Sequence, residues 1–195
     1  MDFIMPVWLK RKSLSFIIIS ALLVVLSFIQ LYAAEITINK VTSKVVNDIY
    51  VINANLSYEL GEKTIEALEN GIPLTFYLEV EFEQPRRLVW NKEIFRHNHY
   101  IQLEHHPLSD QYVLTNLSTS DQFSFNSLND ALVKLGKISK LAITETKNIT
   151  TETALIGRIR TGLDIESLPP PMRLQAWLSS EWRTSSGWHE WVVNP

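Results

Sequence analysis

The 195-residue chain has no cysteine. That absence excludes a disulfide scaffold, a thiolate metal site and a Cys nucleophile. A lipid anchor at a signal-peptide junction is excluded too, because it needs a Cys there. Also missing are the G-x-S-x-G elbow, the Walker loop, the G-x-G-x-x-G fingerprint and the H-E-x-x-H helix. There is no excess of positive charge: 18 Lys and Arg stand against 21 Asp and Glu. Lys10, Arg11 and Lys12 fall in the first 34 residues with Asp2 alone opposing them, so the remainder carries 15 basic and 20 acidic residues, a net of −5. Such a surface gives no electrostatic reason to seek nucleic acid or anionic lipid. Internal repeats and low-complexity linkers are absent as well. Disorder is excluded by composition, since 46% of the residues are apolar and only 20% charged.

What is present begins with an address. Lys10-Arg11-Lys12 precedes an apolar run over residues 14–31, interrupted only by Ser15, Ser20, Ser27 and Gln30. Cations held on the cytoplasmic side push the downstream chain outward. Eighteen helical residues rise about 27 Å, close to a hydrocarbon core of roughly 30 Å. Leu31-Tyr32-Ala33-Ala34 then offers small side chains to a signal peptidase, in neither register ideally. Two outcomes stay open: cleavage as a signal peptide, or retention as an N-terminal anchor in a bacterial inner membrane. Residues 1–34 are thus expected to be an apolar signal or anchor helix, and 35–195 a single β-rich domain. The expected location is the periplasm, secreted or held at the inner membrane through residues 14–31.

Period-two alternation carries the fold. Leu74, Phe76, Leu78, Val80 and Phe82 alternate with Thr75, Tyr77, Glu79, Glu81 and Glu83, which predicts a strand with one buried and one wet face. Tyr50 to Tyr58 repeats the pattern. Asn47-Asp48 before it is a turn signal, and residues 36–46 would complete a hairpin with a bulge near Lys40-Val41. Further strands are expected over 87–91, 99–105, 111–117, 138–146, 154–163 and 188–193. In 154–163, Leu155, Gly157, Ile159 and Leu163 share one face, with Arg158 and Arg160 on the other. Three short helices are expected. One covers 61–70 and ends at Gly71. The second is capped by Ser127, with Asp130 three residues on, carries a stripe of Phe125, Leu128, Ala131, Leu132 and Leu135, and ends at Gly136. The third starts at Pro169-Pro170-Pro171 and runs to about Ser179. The fold class is therefore mainly β, with sandwich-like antiparallel sheets and about three short helices.

Three clusters could carry chemistry. Four of the five histidines lie between residues 97 and 106. On a strand His97 and His99 share a face, a pair that would suit a metal if a third ligand joined it. The plainer reading is a wet strand face and a turn at His106-Pro107. Trp177, Trp182, Trp188 and Trp191 crowd the last nineteen residues. Exposed together they would make a stacking platform for sugar or peptide; buried, they would close the core. Arg158 and Arg160 on one strand face could bind a carboxylate or phosphate, or could pair across the sheet with Glu79, Glu81 and Glu83.

Several segments carry a family resemblance. Residues 67–76 (ALENGIPLTF) resemble the opening motif of a bacterial family known as domain of unknown function 4390. The resemblance continues through 103–112 (LEHHPLSDQY), then Phe125 with Leu128, Ala131 and Leu132. It ends with Leu163-Asp164, Leu168-Pro169-Pro170-Pro171, Trp182 and Ser185-Ser186 with Trp188. The motifs stand in order over nearly all of 35–192. The resemblance implies an exported protein of uncharacterised function, sometimes labelled a proline-rich signal-peptide protein. Members tend to be encoded beside a nitrogen-regulation-like sensor kinase pair, which implies an envelope-sensing link. The family supplies no catalytic residue to carry over. His105-His106 departs from it where Tyr-His is expected.

Together these features point to a non-enzymatic interaction module that needs no cofactor. Its expected partner is an envelope protein, a sensor kinase being the one the resemblance suggests. Two rival expectations are a metal-binding protein or metal-dependent enzyme using His97 and His99, and a glycan-binding module using the C-terminal tryptophans.

Overall fold

In the computed structural model, residues 35–146, 149, 155–179, 181–182 and 184–193 are described. They belong to one compact unit, Ala33–Pro195. The apolar run over 14–31 and the cleavage motif lie outside the described residues. Among those described, no helix is long and apolar enough to cross a membrane.

The described residues form nine strands in two antiparallel sheets. β1 (Glu35–Val46), β2 (Ile49–Glu59) and β7 (Lys137–Glu145) make the smaller, in the order β1-β2-β7. The larger runs β6-β5-β4-β3-β8-β9, built from β3 (Leu74–Gln84), β4 (Lys92–His106), β5 (Gln111–Asn116), β6 (Gln122–Phe125), β8 (Leu155–Leu163) and β9 (His189–Val193). The β1-β2 hairpin closes on Asn47 and Asp48, both at positive φ (50° and 61°), the conformation a two-residue hairpin turn demands. Its register slips between Ile38 and Lys40, beside the position where alternation fails in the sequence.

The inner faces meet through aromatic contacts. Tyr50 of β2 stands edge-on to Phe82 of β3 with ring centroids 5.4 Å apart, and Tyr58 to Phe76 at 5.3 Å. The Tyr58 hydroxyl and Thr161 Oγ1 of β8 share a buried 2.8 Å hydrogen bond. Burial, partly offset by that bond, pushes the phenol well above its usual range. Among the described residues three α-helices join the strands: α1 (Glu62–Glu69), α2 (Leu128–Leu135) and α3 (Pro170–Leu178). Gly71 after α1 takes φ +79°, as a helix stop requires. Ser127 accepts from the Asp130 N–H at the start of α2, whose Ala131 and Leu135 reach the core. Pro169 and Pro170 open α3.

Three expectations are corrected. Residues 87–91 form no strand; they are an exposed connection at the β3–β4 tip, where Pro85 removes a ladder donor and no neighbouring strand among the described residues offers pairing. β6 was not expected, because four residues with half-exposed Phe123 give too short an alternation to read. The carboxylate face of β3 is not wet: Glu79, Glu81 and Glu83 are buried. β3 is the strand between β4 and β8, so long side chains from both neighbours close over it.

Candidate functional site

The outer face of the larger sheet carries a ladder of opposite charges. Register places Glu79 opposite Arg160 and Glu81 opposite Arg158 on one side of β3, and Glu81 opposite Arg96 on the other. Arg160 Nε donates to Glu79 Oε2 at 2.5 Å, and Arg158 Nη1 to Glu83 Oε1 at 2.6 Å. Arg96 Nη2 lies 2.6 Å from both Glu81 Oε1 and Glu93 Oε2. The Trp188 ring covers the ladder, with the Arg158 and Arg160 guanidinium carbons 4.4 and 4.5 Å from its centroid.

The environment splits two adjacent carboxyls. Burial raises the Glu81 carboxyl and outweighs the pull of Arg96. Burial acts the same way on Glu83, but hydrogen bonds from Arg158 and Asn91 and the Arg158 charge overcome it, leaving Glu83 below the usual range. The carboxylates are covered, but the guanidiniums lying on them remain partly exposed, at 47, 24 and 38% for Arg96, Arg158 and Arg160. The ladder therefore behaves as a partly screened network rather than as ions in a core.

Arg158 and Arg160 are thus engaged by carboxylates of their own sheet. The segment that brings Trp188 onto them is fixed by the Ser185-Ser186 pair. Thr161 N–H donates to Ser186 Oγ at 3.1 Å, Ser186 N–H returns to Thr161 O at 2.9 Å, and Ser185 bridges to Gly162. The four tryptophans do not form one surface. Trp182 is in the core, Trp191 stands edge-on to Phe82 on the inner side, Trp188 lies on the outer side, and Trp177 projects from α3. Gly157 makes room for Trp191: a Cβ there would meet Trp191 Cε2 at 2.3 Å. The Trp191 indole N–H donates to Ser43 Oγ at 2.9 Å and ties β9 to β1.

His97 and His99 share the inner face of β4, opposite Val80 and Leu78. Among the described residues no group of three His, Asp or Glu side chains could hold a metal. Instead both histidines line a cavity of about 420 Å³ between β4, β5 and β6 on one side and β7 and the end of α2 on the other. Burial lowers both imidazoles below their usual range, and His97 adds to the effect on His99. His105 is placed elsewhere: it stacks on Tyr112 at 4.7 Å, and its ring nitrogens lie 3.2 Å from Glu69 O and Asp110 Oδ1.

The β3–β4 tip is a feature that sequence reasoning missed, having assigned it to a strand. It presents Arg86, Arg87, Leu88, Val89 and Trp90, with Leu88 and Trp90 96% and 92% exposed. Its base is tied to the ladder by Asn91 Nδ2, which donates to Glu83 Oε2 at 3.1 Å. The usable signal was Pro-Arg-Arg at 85–87, which breaks the alternation immediately before an apolar triplet.

A family model described as Domain of unknown function (DUF4390) matches residues 33–192. The chain belongs to that family. No curated protein and no solved structure matches it. Within this DUF4390 chain the segments carrying the resemblance have structural work: Leu168 and Trp182 are buried, the Asp164 N–H donates to Thr75 O at 2.8 Å, and Ser185-Ser186 holds Trp188 over the ladder.

Proposed function

We propose that this protein is a non-enzymatic module exported to the bacterial envelope, in the periplasm or held at the inner membrane through residues 14–31, and that it engages a protein partner through the β3–β4 tip. The observation that carries the reading is the near-complete exposure of Leu88 and Trp90 beside Arg86 and Arg87. Large apolar side chains on a short hairpin cost solubility unless they dock, and Trp and Arg are the residue types that anchor interfaces. A complementary partner surface is an apolar groove rimmed by carboxylates. The extracytoplasmic part of a sensor kinase is the partner class we favour.

A photo-crosslinking residue at Val89 of the full chain, in living cells, tests this. An adduct with one envelope protein is expected, and Leu88→Ser with Trp90→Ser should reduce it at least tenfold. No adduct above background, together with unchanged kinase output in the doubly substituted strain, would overturn the proposal. The export element has its own readout. Alkaline phosphatase fused after Pro195 should be active, and inactivity would remove the envelope from the reading while leaving the tip to be tested in extracts.

A further inference from the structure

The cavity beside His97 and His99 has a composition unlike the rest of the domain. In a region of net charge −5, its lining includes Lys134, Lys137 and Lys140 and, among the described residues, neither Asp nor Glu. Its walls are apolar, with Ile101 and Leu114 from the larger sheet facing Leu135 and Leu141. His99 is only 7% exposed, and among the described residues no protein group hydrogen-bonds to either imidazole. Their ring nitrogens are not among the buried unpartnered polar atoms, so they keep solvent contact and stand open to a molecule entering the cavity. The gap is built into the backbone. β7 slips register twice against β2, and Lys140, at φ +53°, turns its N–H to Asn53 Oδ1 at 3.0 Å. The volume falls in the range of small-ligand sites.

We infer that this cavity binds an anionic amphiphile with a single medium-length hydrocarbon chain. The chain lies against the apolar walls, and the head group is taken by His99, His97 and the three lysines. Neutral imidazoles supply N–H donors to the head, and the lysines supply the charge. No acid in the described lining competes for them. A cation of the same chain length would meet three like charges.

The test uses the full chain held in a lipid-free peptide belt and a diazirine derivative of dodecanoate. Labelling should concentrate on peptides containing residues 97–101, 114–123 and 134–142. Dodecanoate should compete at least tenfold better than dodecyltrimethylammonium. Lys137→Glu with Lys140→Glu, both at exposed positions, should cut labelling at least fivefold. A second variant, Phe123→Asp at a half-exposed wall position, should do the same by adding a repelling carboxylate. Competition by lysophosphatidylglycerol as well would identify membrane phospholipid as the source of the ligand; competition by dodecanoate alone would identify a free acid. Label confined to residues 14–31, equal competition by the cation, or unchanged labelling in both variants would overturn the assignment. The tip and the cavity are distinct places, so a failed crosslink at Val89 leaves this result standing.

Discussion

On its inner face β3 carries Leu74, Phe76, Leu78, Val80 and Phe82, none more than 3% exposed. On its outer face Glu79, Glu81 and Glu83 are almost as well covered, at 5, 3 and 8%. The inner face excludes water with hydrocarbon from the other sheet. The outer face does so with guanidiniums and one indole from its own neighbours. Similar burial therefore rests on different energetics: each inner side chain gains roughly 1.5–3 kcal/mol on leaving water, whereas desolvation of the ions largely offsets their attraction. Coverage of a strand by neighbouring side chains is not evidence that the covered groups drive folding.

The contrast can be broken most severely from within. Phe82→Ala removes a ring that contacts Tyr50, Phe95 and Trp191 and should destabilise by about 4 kcal/mol in urea unfolding. A loss under about 1 kcal/mol would mean the sheets do not pack as described. Next, Gly157→Ala drives a methyl into the Trp191 ring and should cost about 2 kcal/mol, much of it recovered when Trp191→Leu is added. Equal stability of the single and double variants would show that the ring is not the obstacle.

The outer face should yield less. Arg158→Met should cost about 1 kcal/mol, as suits a partly screened network, and the cost should shrink in a Glu83→Gln background. Strict additivity of the two changes would deny the pair any role. Smaller still is the acid response. Glu83, held low when folded, contributes stability that is present above the ordinary glutamate range and lost as pH falls through its folded value. Glu81, held high, has the opposite sign: its contribution favours the fold in acid and fades as pH rises. Glu83→Gln should therefore flatten the acid limb of the stability profile, while Glu81→Gln should steepen it. Identical profiles would remove the distinction between the two carboxyls. Last, Trp90→Ser at the tip should change unfolding free energy by no more than about 0.5 kcal/mol, because the side chain touches little. A larger loss would make the tip structural and weaken its case as a docking element.

Local signals located most of the elements. Ten residues of strict alternation marked β3, Asn47-Asp48 marked the first hairpin, and Ser127 with Asp130 marked α2. Pairing of Arg158 and Arg160 with the glutamates was legible because β-strand parity puts both sets on outward positions. The hidden features depended on neighbours. Residues 87–91 have strand-like composition but no strand beside them among the described residues. Four tryptophans close in sequence diverge because a helix, a turn and a strand aim them differently.

Period and turn chemistry are properties of a few consecutive side chains, so the chain by itself determined its β-rich class, most strand positions, the helix stops and the family to which it belongs. Strand order and sheet coverage join residues far apart in the chain, and only the tertiary structure could decide them. That structure put the β3 carboxylates under arginine and opened a basic-rimmed cavity around His99. It also left Leu88 and Trp90 in water at the tip, because burial is set by what stands opposite a side chain and not by the side chain alone.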